Sequence, residues 1–204
     1  MIKKIRLNLG CASRPLKNYI NVDQDSLSVI KKRYPNLNKI KNLKICNYNI
    51  FKLPYKDSTV NEIRADGLIE HLTFIEERKF FHEIKRVVKK GGIIRLSTVD
   101  FEKTIKQWLK AEDNWIDFHR DDNKAIQEKF WFGTYSYEPK NRWGYLTATF
   151  YGSQKGRGQY HKNCYSKKKL NSICEKLGFK VIELKNFRWK KDRDHMINLI
   201  AKKI

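Results

Sequence analysis

Read for apolar and polar positions alone, the chain alternates short apolar runs with amphipathic stretches. The first run, Ile5-Arg6-Leu7-Asn8-Leu9, ends at Gly10-Cys11. A second, Tyr19-Ile20-Asn21-Val22, ends on Asp23. Both read as strands, bounded by a glycine turn or a carboxylate. Only the eight residues from Cys11 to Asn18 separate them, whereas a parallel crossover usually needs a dozen or more residues and a helix. The link is expected to be one helical turn or a loop containing Pro15.

Beyond Asp23, Ser26 is placed to cap a helix with Leu27, Ile30 and Tyr34 on one face, ended by Pro35 and Asn36. Leu43-Lys44-Ile45-Cys46 is expected as a third strand, with Asn47 to Ile50 the loop at its carboxyl end, and Glu62-Ile63-Arg64-Ala65 as a fourth. The strongest helical pattern follows. Thr73 and Glu76 stand at the two positions of a capping box, and Ile75, Phe80, Phe81, Ile84, Val87 and Val88 form the stripe expected to be buried. Lys89-Lys90-Gly91-Gly92 would close it. Ile93 to Val99 is then a fifth strand ending at Asp100. A helix capped by Ser166 carries Leu170, Ile173 and Leu177 and closes at Gly178, and Phe179 to Leu184 and Met196 to Ile200 are two last strands.

Alternating strands and helices predict an α/β, doubly wound, mostly parallel sheet. The last two strands, joined without a helix, predict an antiparallel hairpin at one edge. The length of 204 residues is read as one domain, residues 1–204. Within it, a stretch from about 112 to 161 breaks the pattern and is dense in aromatics, including Trp115, Phe130, Trp131, Trp143, Phe150 and Tyr151. A lid over an acceptor pocket is one reading of that insert; a small hydrophobic cover is the other.

Charge adds a second layer. There are 44 basic against 22 acidic residues, a formal net charge of +22. Such a balance attracts polyanions, nucleic acid among them, although abundant lysine, asparagine and isoleucine also follow from AT-rich coding. Lys155-Gly156-Arg157-Gly158, Lys167-Lys168-Lys169, Lys190-Lys191 and Arg193 are the basic clusters, either phosphate-binding or simply solvated. No apolar run is long enough to span a membrane, and Met1 to Leu9 does not read as a signal peptide. The four cysteines show no metal-ligand spacing with the histidines; reduced thiols in a cytoplasmic protein, with no metal site, are expected.

Chemistry is expected at the strand ends. Gly10, lacking a side chain, lets backbone approach a ligand. Asp23, one strand over, could accept hydrogen bonds from the two hydroxyls of a ribose. His161 is the candidate general base because histidine titrates near neutrality, with surface residue as the alternative; Asp100, at a strand's carboxyl end, is the second candidate.

Leu7-Asn8-Leu9-Gly10-Cys11, Ile20-Asn21-Val22-Asp23, Leu53-Pro54-Tyr55, and Leu68-Ile69-Glu70-His71-Leu72 together resemble the class I S-adenosylmethionine-dependent methyltransferases, in a small, methyltransferase type 11-like branch. The resemblance runs from residue 5 to about 184. It implies a seven-stranded Rossmann-like sheet and S-adenosylmethionine as cofactor. Gly10, Cys11, Asp23, Asn49, Ile50, Asp66, Glu70 and His71 are then its binding residues, with Asn49 standing where relatives place an acidic residue beside the adenine amino group. The family's second glycine is Ala12 here. A small-molecule or carbohydrate-type acceptor is the first reading. An RNA or DNA methyltransferase using the basic surface, or a non-catalytic cofactor-binding protein of the same fold, are the alternatives. The oligomeric state is not legible in the sequence.

Overall fold

A computed structural model describes residues 4–110, 149–152, 154, 158–188 and 195–204. Its centre is strand β1, Arg6–Leu9, where three successive buried positions leave no solvent face. Such a strand needs neighbours on both edges and cover on both faces. On one side it pairs in parallel with β2, Ile20–Val22, and on the other with β3, Val60–Asp66. Outward from β3 come β4, Val88–Val99, in parallel, then β6, Met196–Lys203, antiparallel, and β5, Phe179–Phe187, antiparallel at the edge. The order β2-β1-β3-β4-β6-β5 contains the expected hairpin.

Six strands form among the described residues, where seven are implied by the family resemblance. The missing one is Leu43 to Cys46, of which only Cys46 joins the sheet, by a parallel bridge to Val22. Its amide donates to Asn21 O at 2.8 Å and its carbonyl accepts from the Asp23 amide at 3.1 Å. The chain then turns across the strand end because the Asn47 side chain donates to the carbonyls of Asp23 and Asp25 (3.1 and 2.9 Å).

The short β1–β2 link is a helix-free loop that contains Pro15. Two buried asparagines hold it. Asn8 Nδ2 donates to Asn21 Oδ1 and to Arg14 O, both at 2.9 Å, while Asn21 accepts from the Leu16 amide at 2.8 Å and donates back to Leu16 O at 3.2 Å. Buried amides with their hydrogen bonds made replace the backbone ladder that a helix would have supplied.

Helix α1, Leu27–Arg33, starts at Ser26 as expected, and α2, Phe74–Val87, has the full Thr73–Glu76 capping box. Two expectations for α2 need correction. Ile75 is 69% exposed: it lies nine residues before Ile84, which at about 100° per residue puts it on the opposite face. The glycines do not cap the helix either. Val88 already begins β4, and residues 89–92 bulge out between the Val60–Val88 and Glu62–Ile93 pairs. Helix α3, Phe101–Leu109, follows β4, and α4, Lys167–Leu177, ends at Gly178 before β5. Leu7, Leu9, Ile63, Phe80, Ile84, Leu96 and Leu199 are among the residues of the core between sheet and helices.

Candidate active site at the strand ends

The chain leaves β1 toward β2 on one side and later returns as β3 on the other. That reversal opens a crevice beyond the carboxyl ends of β1 and β3, the place where open parallel sheets bind ligands. Gly10 stands at its mouth with φ +64°, which favours glycine, and a Cβ there would lie 3.0 Å from Leu68 Cδ1, which would have to give way. Ala12 follows at φ 40°, a region costly for a residue with a Cβ. The Ala12 amide donates to Asp23 Oδ2 at 2.9 Å, and the Asp25 amide to Asp23 Oδ1 at 3.1 Å. Asp23 is buried, yet each oxygen keeps a lone pair free. The Cys11 side chain points inward. Burial, and then the charge of Asp23, push its thiol up to about 12. Cys11 therefore faces the crevice through backbone alone.

Asn49 is exposed and its Oδ1 accepts from the Phe51 amide at 2.9 Å, so the loop it sits on is locally braced; Ile50 packs on the core edge. Arg14, which sequence reasoning did not single out, reaches over from the β1–β2 loop to donate to Asp66 O at 2.9 Å and brings a cation to the crevice. The Asp66 carboxylate is engaged on both oxygens, by Arg64 Nε at 2.6 Å and Ser97 Oγ at 2.9 Å.

Across the crevice, a 3-10 turn, Ile69–His71, carries Glu70 and His71. Glu70 is buried and Oε2 accepts from Thr98 Oγ1 at 2.9 Å. Its backbone carbonyl accepts the amides of Lys162 and Asn163 at 2.8 and 3.2 Å, which ties the distant 158–166 segment to this turn. His161 thereby comes beside His71, ring centroids 4.8 Å apart and edge to face. Gly152 permits the approach, since a Cβ there would lie 2.2 Å from Gln159 O and 2.9 Å from the His161 nitrogen. His71 Nδ1 lies 2.9 Å from Tyr160 O, and His161 Nδ1 lies 2.7 Å from Thr149 O. A carbonyl can only accept, so each Nδ1 carries a proton, and in a neutral ring Nε2 is then the nitrogen with the lone pair. Burial pulls the pKa of His161 down, against an opposing pull from Glu70, which favours the neutral ring. The ligand atoms of Glu70, His71 and His161 all lie within 4.8 Å of one another.

Asp100 has a different occupation. Its Oδ1 caps α3 through the Lys103 amide at 3.1 Å, and Oδ2 accepts from Asn186 Nδ2 at 2.7 Å. It anchors the start of α3 to β5 with one bond on each oxygen. Of the aromatic insert, residues 112–148 lie outside the described residues; Phe150 packs edge to face on Phe101 with centroids 5.2 Å apart, and Tyr151 is exposed. Among the basic clusters, Lys155, Gly156, Arg157, Lys190, Lys191 and Arg193 also lie outside the described residues. Lys167 and Lys168 are exposed, whereas Lys169 pairs with Glu77 at 2.8 Å over the Tyr165 ring.

A family model described as a methyltransferase domain matches residues 16–182. The chain belongs to this methyltransferase domain family. Strand order and strand-end residues make the domain a class I, S-adenosylmethionine-dependent methyltransferase in fold. An uncharacterized protein of Methanocaldococcus jannaschii is 33% identical over 69 residues, which is 34% of this chain and 29% of that protein. The chain therefore matches less than a third of that relative's length. Among solved structures, an S-adenosylmethionine-dependent methyltransferase from Methanosarcina mazei superposes with TM-score 0.56 at 15% identity, covering 100% of this chain and 94% of that one. The 1,6-didemethyltoxoflavin-N1-methyltransferase of Burkholderia thailandensis, bound to 1,6-didemethyltoxoflavin and S-adenosylhomocysteine, gives 0.56 at 10% identity over 98% and 70%. The methyltransferase donor fits the residues present: a glycine turn at Gly10 with φ +64°, a buried carboxylate at Asp23 with lone pairs to spare, and a cation at Arg14. No helix among the described residues is long and apolar enough to cross a membrane.

Proposed function

We propose that this chain moves a methyl group from S-adenosylmethionine to a hydroxyl of a small-molecule or carbohydrate-type acceptor, in the cytoplasm. When bound, the donor supplies a methyl carbon on a cationic sulfur, which an acceptor oxygen displaces in line. On the donor side, Asp23 would accept from the ribose hydroxyls, the Gly10–Ala12 backbone would border the donor, Asn49 and Ile50 would hold the base, and Arg14 would pair with the carboxylate. On the acceptor side, the neutral His161 offers its Nε2 lone pair beside His71 and Glu70. This cluster is the observation that carries the reading, because a fold that only bound the donor would have no use for two oriented imidazoles facing a buried carboxylate. A hydroxyl must be activated before it attacks well, and alignment with exclusion of water supplies much of the rest.

The test is transfer of labelled methyl from the donor to fractionated metabolite pools. Label appearing in small hydroxylated compounds supports the reading. Label confined to nucleic acid would favour the second reading, in which the +22 surface holds RNA or DNA; that reading also requires an electrophoretic shift that falls steeply with salt.

A further inference from the structure

Glu70, His71 and His161 have a feature that a lone general base does not need. Both imidazoles hold a backbone carbonyl on Nδ1, Tyr160 O at 2.9 Å and Thr149 O at 2.7 Å. Metal-ligating histidines are commonly fixed in this way, the outer N–H engaged and the other nitrogen presented to the ion. Glu70 shows the same division: Oε2 is taken by Thr98, and Oε1 accepts none of the hydrogen bonds among the described residues. The set is two imidazole nitrogens and one carboxylate oxygen, from a turn and a loop braced against each other by the Glu70 carbonyl. Glu70 is buried while the two histidines are half-buried.

We propose that Glu70, His71 and His161 bind one divalent transition-metal ion, of the Zn2+ or Co2+ type, whose open positions take the acceptor hydroxyl. Two imidazoles and a carboxylate with positions left for water or substrate is a donor set suited to such ions, and unsuited to Mg2+ or Ca2+, which prefer all-oxygen shells. Donors about 2.1 Å from a tetrahedral ion stand roughly 3.4 Å apart. The widest pair, at most 4.8 Å apart, thus closes by up to about 1.4 Å on binding. The site deepens the methyl-transfer reading and rests on it for its reaction. The cation lowers the pKa of the hydroxyl it holds. The hydroxyl proton leaves to water, and the oxygen lone pair forms the new bond to the methyl carbon. The carbon–sulfur bond breaks with its electron pair going to sulfur, which becomes a neutral thioether. His161 is then a ligand and the proton acceptor is solvent.

The experiment is titration of the metal-free protein with Co2+, read by visible absorption, alongside calorimetry with S-adenosylhomocysteine. We expect one Co2+ per chain with bands of nitrogen and oxygen ligation, displaced by Zn2+. Glu70→Gln, His71→Ala and His161→Ala should each weaken Co2+ by at least about 100-fold, beyond the 10–100-fold typical of losing a residue that only orients a ligand. His82→Ala, which changes an exposed histidine of α2, should leave it unaltered. Unchanged circular dichroism in the variants confirms that they fold. No bands and no displacement at millimolar Co2+, or equal binding in all variants, overturn the metal site. If S-adenosylhomocysteine still binds in that case, methyl transfer stands with His161 as base. Bands without any S-adenosylhomocysteine binding would remove the methyl-transfer reading and leave the ion.

Discussion

The link from Asn8 to Asp23 and the pair of segments carrying Glu70, His71 and His161 both lie at or beyond strand ends, yet they are secured differently. The first is held within a short span: Asn8 and Asn21, 13 residues apart, fix the loop, and backbone amides fix Asp23. The second joins residues far apart in the chain, as in the bond between His71 and Tyr160, 89 positions on. The first thus presents mostly backbone and one carboxylate. The second, the proposed acceptor side, presents titratable side chains steered by carbonyls. A common cofactor can be held by the first arrangement while the second is rebuilt for a different acceptor.

The sharpest way to separate the two sides is His161→Ala. Turnover should drop by roughly 10²–10⁴, with affinity for S-adenosylhomocysteine within about twofold. Equal turnover for variant and parent would show that chemistry does not depend on this side. Asp23→Ala strikes the other side, where loss of two charge-assisted hydrogen bonds should weaken donor binding by about 2–4 kcal/mol in a calorimetric titration. A change below threefold would place the ribose elsewhere.

Asn21→Ala tests whether the asparagine pair truly substitutes for a crossover helix. It strips partners from Asn8 and from both backbone groups of Leu16, and should lower stability by about 2–3 kcal/mol in urea unfolding. Donor affinity should fall with it; unchanged affinity would mean that the loop holds its shape without the pair. Ala12→Gly works in the opposite direction. With Ala12 at φ 40°, glycine should relieve about 1 kcal/mol of backbone strain, and a less stable variant would contradict that. The gentlest comparison uses thiols. Cys164, exposed near His161 in the chain, should react with a disulfide reagent at pH 8, while Cys11, buried and held up at about 12, should not. Labelling of native Cys11 at the rate of Cys164 would mean that the donor side opens freely.

This difference in span also explains what could be read in advance. The strand ends at Gly10 and Asp23, the capping box of α2 and the final hairpin are short-range patterns, and sequence periodicity carries them. Asn8 and Asn21 were visible as polar residues in apolar runs, but nothing local says that they pair across a loop. Glu70 and His71 were legible as a motif, and His161 as a lone histidine. Their meeting depends on the Glu70 carbonyl accepting two amides from residues 162 and 163, and no spacing rule reaches that far. For the same reason the histidines gave no metal-ligand pattern. Of the expected third strand only Cys46 pairs, by a single bridge to Val22, after which Asn47 ties the chain to Asp23 and Asp25.

The place of β6 between β4 and β5 has a consequence for how the protein is made. β4 is complete at Val99, but its antiparallel partner begins at Met196, close to a hundred residues later. At about 5–20 residues per second, a ribosome takes roughly 5–20 s to cover that distance. Throughout that interval the nascent chain carries a long strand with Ile94 and Leu96 unshielded and one row of amides and carbonyls open to any passing strand. Yield in a cell is therefore set in part by what happens before β6 emerges. Cooling the culture or supplying more chaperone should raise soluble protein even for a sequence whose finished fold is sound.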